Sequence, residues 1–152
     1  MALSDADRPF VAIALDEARQ GLCEGGVPIG ACLAEPGQVL GRGHNRRMQL
    51  GCPIRHGEMD ALQHAGRLPA ATYRRATMYT TLSPCAMCSG AILLYGIPRV
   101  VIAENTTFRG EEDLLRQRGV EVVVLDLDEA KELMTRFRAR HPEIWNEDIG
   151  AP

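Results

Sequence analysis

Apolar residues recur in short runs along this chain, and the stretches between them carry a helical rhythm. Residues 27–34, 39–44, 76–82, 99–103 and 120–125 each read as a short strand rich in Val, Ile, Leu, Thr or Ala. Glu35, Pro36, Gly37 and Gln38 supply a turn between the first two, which predicts a hairpin. Helical patterns fill the gaps. Residues 10–20 follow a capping Asp7 and an early Pro9, with Gly21 as the stop. A second helix opens at His56 and ends at Gly66. A third covers residues 84–95, with Ser83 as N-cap, Pro84 in the first position and Gly96 at the end. Residues 111–118 make a short helix stopped by Gly119. Residues 128–140 make a longer one with Leu133, Met134 and Phe137 on one side. Strands alternating with helices predict an α/β layered fold with a largely buried sheet. No repeat, low-complexity stretch or linker breaks the pattern, so residues 1–152 are expected to form one domain.

One split cluster carries the chemistry: His56-Gly57-Glu58, then Pro84-Cys85-Ala86-Met87-Cys88. An imidazole and two thiols are three zinc ligands, and a catalytic zinc keeps a fourth position for water. Cys85 and Cys88 are three apart, so on a helix they share a face. Both are expected in the first turn, where the positive end of the helix favours thiolate. Glu58 lies beside the first ligand, placed to move protons to and from the water. His-x-Glu followed by Pro-Cys-x-x-Cys is the zinc deaminase signature. Two other readings use the same residues. Cys85 and Cys88 alone would make a redox pair. Cys52, His56, Cys85 and Cys88 together would make a closed structural zinc site that catalyses nothing.

Composition narrows the setting. Lys and Arg number 17 against 20 Asp and Glu, for a net charge of −3. The doublets Arg46-Arg47 and Arg74-Arg75 read as solvated faces rather than a basic stripe, which argues against a nucleic-acid partner. Five cysteines without a secretory pattern at the acidic start predict free thiols and a cytoplasmic setting. No run approaches the roughly 20 apolar residues of a membrane helix, so no membrane association is expected.

The residues also carry a family resemblance. The chain resembles the cytidine deaminase superfamily, and within it the fungal-type cytosine deaminase branch. The shared stretches are Glu24-Gly25-Gly26-Val27-Pro28-Ile29-Gly30, Gly41-Arg42-Gly43-His44-Asn45, His56-Gly57-Glu58, Tyr79-Thr80-Thr81-Leu82-Ser83-Pro84-Cys85, Tyr95-Gly96-Ile97-Pro98-Arg99, and Trp145 with Glu147-Asp148-Ile149-Gly150. The resemblance implies a three-layer α/β/α fold with a five-stranded mixed sheet, a homodimer, one Zn²⁺ per chain, and deamination of free cytosine to uracil. It assigns zinc to His56, Cys85 and Cys88, and proton transfer to Glu58. Asn45 and the Gly57 N–H would bond the base, Asp148 would accept from a substrate N–H, and Phe108 and Trp145 would cover the ring. His44, His64 and His141 are left structural or solvent-facing. Residues 142–150 are expected to form a lid.

Several positions depart from the fungal pattern. Ile54-Arg55 stand where the fungal enzyme has a threonine-leucine pair, Met59-Asp60 replace smaller or aliphatic residues, and Asn146 replaces an aromatic. These flank the expected pocket. They keep open a related amino-heterocycle as substrate: isocytosine, a modified cytosine or guanine. A tRNA adenosine deaminase and a non-catalytic zinc module are the readings from other classes.

Overall fold

The structure is a computed structural model, and it describes residues 2–152. It runs α1 (Arg8–Cys23), β1 (Gly30–Glu35), β2 (Gln38–His44), α2 (Arg47–Leu50), α3 (Gly57–Ala65), α4 (Ala70–Tyr73), β3 (Thr77–Leu82), α5 (Ala86–Tyr95), β4 (Arg99–Glu104), α6 (Glu112–Gln117), β5 (Glu121–Val124), α7 (Asp128–Arg140) and α8 (Pro142–Asp148). The strands form one mixed sheet in the order β2-β1-β3-β4-β5. β1 is antiparallel to β2 and to β3, while β3, β4 and β5 run parallel.

Alternate side chains feed two cores. Ala31, Leu33, Met78, Val100 and Ile102 face the side covered by Ala61 of α3, Ile92 of α5 and Leu115 of α6. Cys32, Ala34, Tyr79, Val101 and Ala103 face Val11, Ala14 and Leu15 of α1 and Ala130 of α7. Burial on both faces is why these strands read as continuous apolar runs. A third cluster joins Val27, Ile29 and Leu82 to Met134, Phe137 and Trp145, and so docks the C-terminal helix beside the strand ends.

Boundaries differ from expectation in instructive places. α1 does not stop at Gly21 but continues to Cys23. A Cβ on Gly21 would lie 3.2 Å from the His44 ring and from the Val27 carbonyl, so this glycine is a packing residue inside the helix. Asp7 makes no side-chain cap; its carboxylate instead accepts from Tyr79 Oη and Arg99. β1 begins at Gly30 rather than residue 27, since Pro28 has no N–H for a ladder. The short helices α2 and α4 carry no hydrophobic periodicity long enough to predict.

Candidate active site

Two helix starts converge at the site. His56 is the N-cap of α3 and Cys85 the N-cap of α5, both with extended backbone dihedrals. This corrects the sequence reading, which capped α5 with Ser83 and put both thiols in its first turn. Only Cys88 lies in that turn. Ser83 serves another purpose: its hydroxyl donates to Glu112 at 2.6 Å and accepts from the Gly110 N–H at 2.9 Å. Those bonds hold the loop that carries Phe108 against the Ser83-Pro84-Cys85 segment.

The donor atoms of His56, Cys85 and Cys88 all lie within 4.8 Å of one another. His56 Nδ1 is 3.4 Å from Cys85 Sγ. Two ligands at zinc bond lengths and a tetrahedral angle are roughly 3.5 Å apart, so the donor set fits Zn²⁺. Cys52 is not a member of this group, and it lines a separate depression with Met48 and Pro53. The closed four-ligand site is therefore not assembled. The Cys85 thiol is held down to about 4, first by its contact with Cys88 and then by His56, against burial. Cys88 is pushed well up, first by Cys85 and then by burial.

Glu58 follows in the first turn of α3 and is 4% exposed. Burial raises its carboxyl to about 7, and the neighbouring Cys85 adds to the rise. A buried carboxyl near neutrality suits a group that must both take and give a proton. Gly57 precedes it at the helix start, where N–H groups have no intrahelical acceptor.

The cavity beside this cluster is lined by His56, Gly57, Glu58 and Cys85, and also by Asn45, Phe108, Trp145 and Asp148. It encloses about 300 Å³ of empty space, its mouth included. Every expected site residue therefore borders one cavity, except Cys88, which sits buried behind it. Trp145 and Asp148 are three apart on α8 and face the same way. Phe108 meets Trp145 edge to face with ring centroids 6.2 Å apart. Asn45 is fully buried. Its Nδ2 donates to Asp148 Oδ1 at 2.7 Å, and its Oδ1 accepts from the Arg47 N–H at 3.1 Å. Asp148 Oδ1 also lies 3.7 Å from His56 Nε2. Burial raises the Asp148 carboxyl, against the pull of His56, Asn45 and Arg47.

Some lining residues were given no role in the site by the sequence. Ile29, Leu82 and Ile149 border the cavity as ordinary apolar positions. Arg46 and Arg47 are not merely solvated. Arg46 Nε donates to the buried Asp60, and Arg47 Nη1 lies 3.8 Å from Asp148. Their place directly after Asn45 was the available hint. Among the other histidines, His44 is buried between Glu17 and Glu24 at 2.8 Å each, His64 bonds the Arg42 carbonyl, and His141 lies against Phe137.

A buried carboxyl beside a His/Cys/Cys donor set, on a mixed sheet between helical layers, defines a class of zinc hydrolases. Residues 4–104 match the family model described as the cytidine and deoxycytidylate deaminase zinc-binding region, and the chain belongs to that family. It is a zinc-dependent hydrolytic deaminase. The cytosine deaminase of Candida albicans is 54% identical over 145 residues, covering 95% of this chain and 97% of that protein. The tRNA-specific adenosine deaminase of Streptococcus pyogenes serotype M18 is 39% identical over 108 residues, covering 69% of this chain and 67% of that one. Among solved structures, the guanine deaminase from Nitrosomonas europaea superposes with a TM-score of 0.74 at 25% identity, covering 91% of this chain and 87% of that one.

Proposed function

We propose that this enzyme deaminates a free aminopyrimidine base, converting cytosine and water to uracil and ammonia. The observation that carries this reading is the small cavity roofed by α8, with Trp145 and Asp148 facing the His56 and Glu58 cluster. The likeness to a cytosine deaminase over nearly the full chain supports it.

In this mechanism His56, Cys85 and Cys88 hold the zinc, which when bound supplies a water of lowered pKa as nucleophile. Glu58 takes a proton from that water and hands it to the ring nitrogen beside the amino-bearing carbon. The oxygen adds to that carbon, Glu58 then takes the remaining proton from that hydroxyl and passes it to the amino group, and the C–N bond breaks to release ammonia and leave the ring carbonyl. Asn45 donates its second amide hydrogen to the base carbonyl, since its other hydrogen is taken by Asp148 and its oxygen by Arg47. The Gly57 N–H assists at the same edge. Asp148 accepts from a ring N–H. Phe108 and Trp145 cover the ring faces and exclude water.

The same reading places the activity in pyrimidine salvage, in the cytoplasm, without a nucleic-acid partner and on one domain spanning residues 1–152. The five cysteines are all free, which suits a reducing compartment. Among the described residues no helix is long and apolar enough to cross a membrane. The family resemblance implies a homodimer, and exposed Met48, Leu50, Ile54, Leu94 and Tyr95 are apolar groups that a second copy could cover. Ammonia release across cytosine, isocytosine, guanine, cytidine and an adenosine-bearing tRNA loop tests the substrate. Cytosine is expected to be turned over and cytidine not. Equal turnover of the two would sink the free-base reading.

A further inference from the structure

Asp60 has no role in the chemistry, yet it is fully buried four residues after His56 and on the same helix. Four donors reach it. Oδ2 accepts from the His44 N–H and from Arg46 Nε, each at 3.0 Å. Oδ1 accepts from Arg55 Nε at 3.2 Å and makes a very short bond with Arg55 Nη2. These donors come from two separate segments. His44 and Arg46 flank Asn45; Arg55 precedes His56. The segments are also tied directly, Arg46 N–H donating to the Arg55 carbonyl at 2.9 Å.

The surroundings are shaped to admit the carboxylate. A Cβ on Gly43 would stand 2.5 Å from Asp60 Oδ2 and 2.7 Å from the Ala61 nitrogen, so α3 reaches β2 only because residue 43 is glycine. Burial alone would raise the Asp60 carboxyl. Arg55, the His44 amide and Arg46 outweigh it and hold the group below the usual carboxylate range. Arg46 and Arg55 each bring a full charge to one buried anion, which makes the arrangement rigid and costly to break from either side. Asp60 and Arg55 are also two of the positions at which this chain departs from the fungal pattern, and these two are bonded to each other.

We propose that Asp60 is a positioning residue that sets Asn45 at a fixed distance and angle from His56, and so sets the base against the reacting centre. It rests on the reading of Asn45 as a base-binding residue. The carboxylate touches neither base nor metal donors; it holds the two backbone segments that carry them. A displacement on the order of 1 Å at such a constellation is enough to cost catalysis heavily.

The test compares Asp60→Asn, Arg55→Gln and Asn45→Ala in the zinc-loaded enzyme, by steady-state kinetics with cytosine, zinc per chain and thermal melting. Asp60→Asn is expected to keep its zinc and raise KM about tenfold, with a smaller fall in kcat. Arg55→Gln, half-buried and safer for folding, is expected to raise KM in the same direction, and the double variant to do no more than Asp60→Asn alone. A lower melting temperature with unchanged KM in either variant means a purely structural role and overturns the proposal. So does loss of zinc from folded Asp60→Asn. Should Asp60→Asn fail to fold, Arg55→Gln decides by its KM alone. If Asn45→Ala leaves KM unchanged, the base-site reading has failed, independently of what Asp60 does.

Discussion

Asn45 Nδ2 donates to Asp148 Oδ1 at 2.7 Å across 103 residues of chain, with both side chains buried at the edge of the zinc site. The bond joins the end of β2 to the C-terminal helix. It makes the roof of the cavity and its polar wall one structure. It also orients both groups: the amide has one hydrogen left for a carbonyl, and the carboxylate has a free oxygen for an N–H.

Asp148→Ala should therefore remove an acceptor and release Asn45 together. We expect kcat/KM for cytosine to fall by roughly 100-fold or more, because a base N–H would then be buried unpaired. Zinc content should stay near that of the parent and the protein should remain folded, with a modestly lower melting temperature because the buried Asn45 amide loses its acceptor. Kinetics with metal analysis on the same preparation checks this, and near-normal kcat/KM would remove Asp148 from the site.

Glu58→Gln separates proton transfer from metal binding. The three zinc donors are untouched, so about one zinc per chain should remain. Turnover should drop by about 10²- to 10⁴-fold, since an amide neither takes nor returns the proton. Appreciable residual turnover would refute the role given to Glu58.

Cys52→Ser should change neither zinc content nor cytosine turnover, because Cys52 stands outside the His56, Cys85 and Cys88 group. A folded variant that has lost its metal would revive the closed structural site.

Trp145 is the only tryptophan, so fluorescence reports the roof directly. Adding a non-reactive cytosine analogue should change its emission in a saturable way, and the matching nucleoside should not. Removing residues 142–152 should weaken base binding more than it lowers the melting temperature. A silent Trp145 at saturating analogue would mean that α8 does not cover the ligand.

Far from the site, Asp7 joins α1 to the sheet through Arg99 and Tyr79, at 2.7 Å to each. Asp7→Asn should lower stability by about 2 kcal/mol, a buried-pair figure discounted because Arg99 is partly exposed. Arg99, Tyr79 and Ser4 hold the Asp7 carboxyl well below its ordinary 3.8, against burial. A depressed carboxyl stabilises the fold above its unfolded value. The gap between parent and variant should therefore be constant at neutral pH and shrink as pH falls below about 4. Denaturant melts at pH 7 and pH 3 check it; a gap that widens in acid would contradict the assigned sign.

Much of the site was legible in the chain. His56, Cys85 and Cys88 are spaced for zinc, and the helices they begin are marked by local residues. Each such feature depends on neighbours within a few positions, where spacing and capping are physical constraints. The same holds for β1, β3 and β4, whose apolar runs follow from burial on both faces.

Other features depend on partners far away in the chain. Nothing near Asp60 announces that His44, Arg46 and Arg55 converge on it. The polar Arg46-Arg47 doublet looks like solvent-facing charge until α3 is laid against β2. Asp7 and Ser83 have the composition of helix caps, yet stronger long-range partners, Arg99 and Glu112, claim their side chains. The sequence by itself determined the candidate donors His56, Cys85 and Cys88, the reaction class and the layered alternation, because those are written in motif spacing and hydrophobic pattern. Tertiary structure alone decided which charges are buried together, which amide hydrogen of Asn45 and which oxygen of Asp148 stay free, and that Cys52 stands apart from the metal donors, because each is settled by packing between segments distant in sequence.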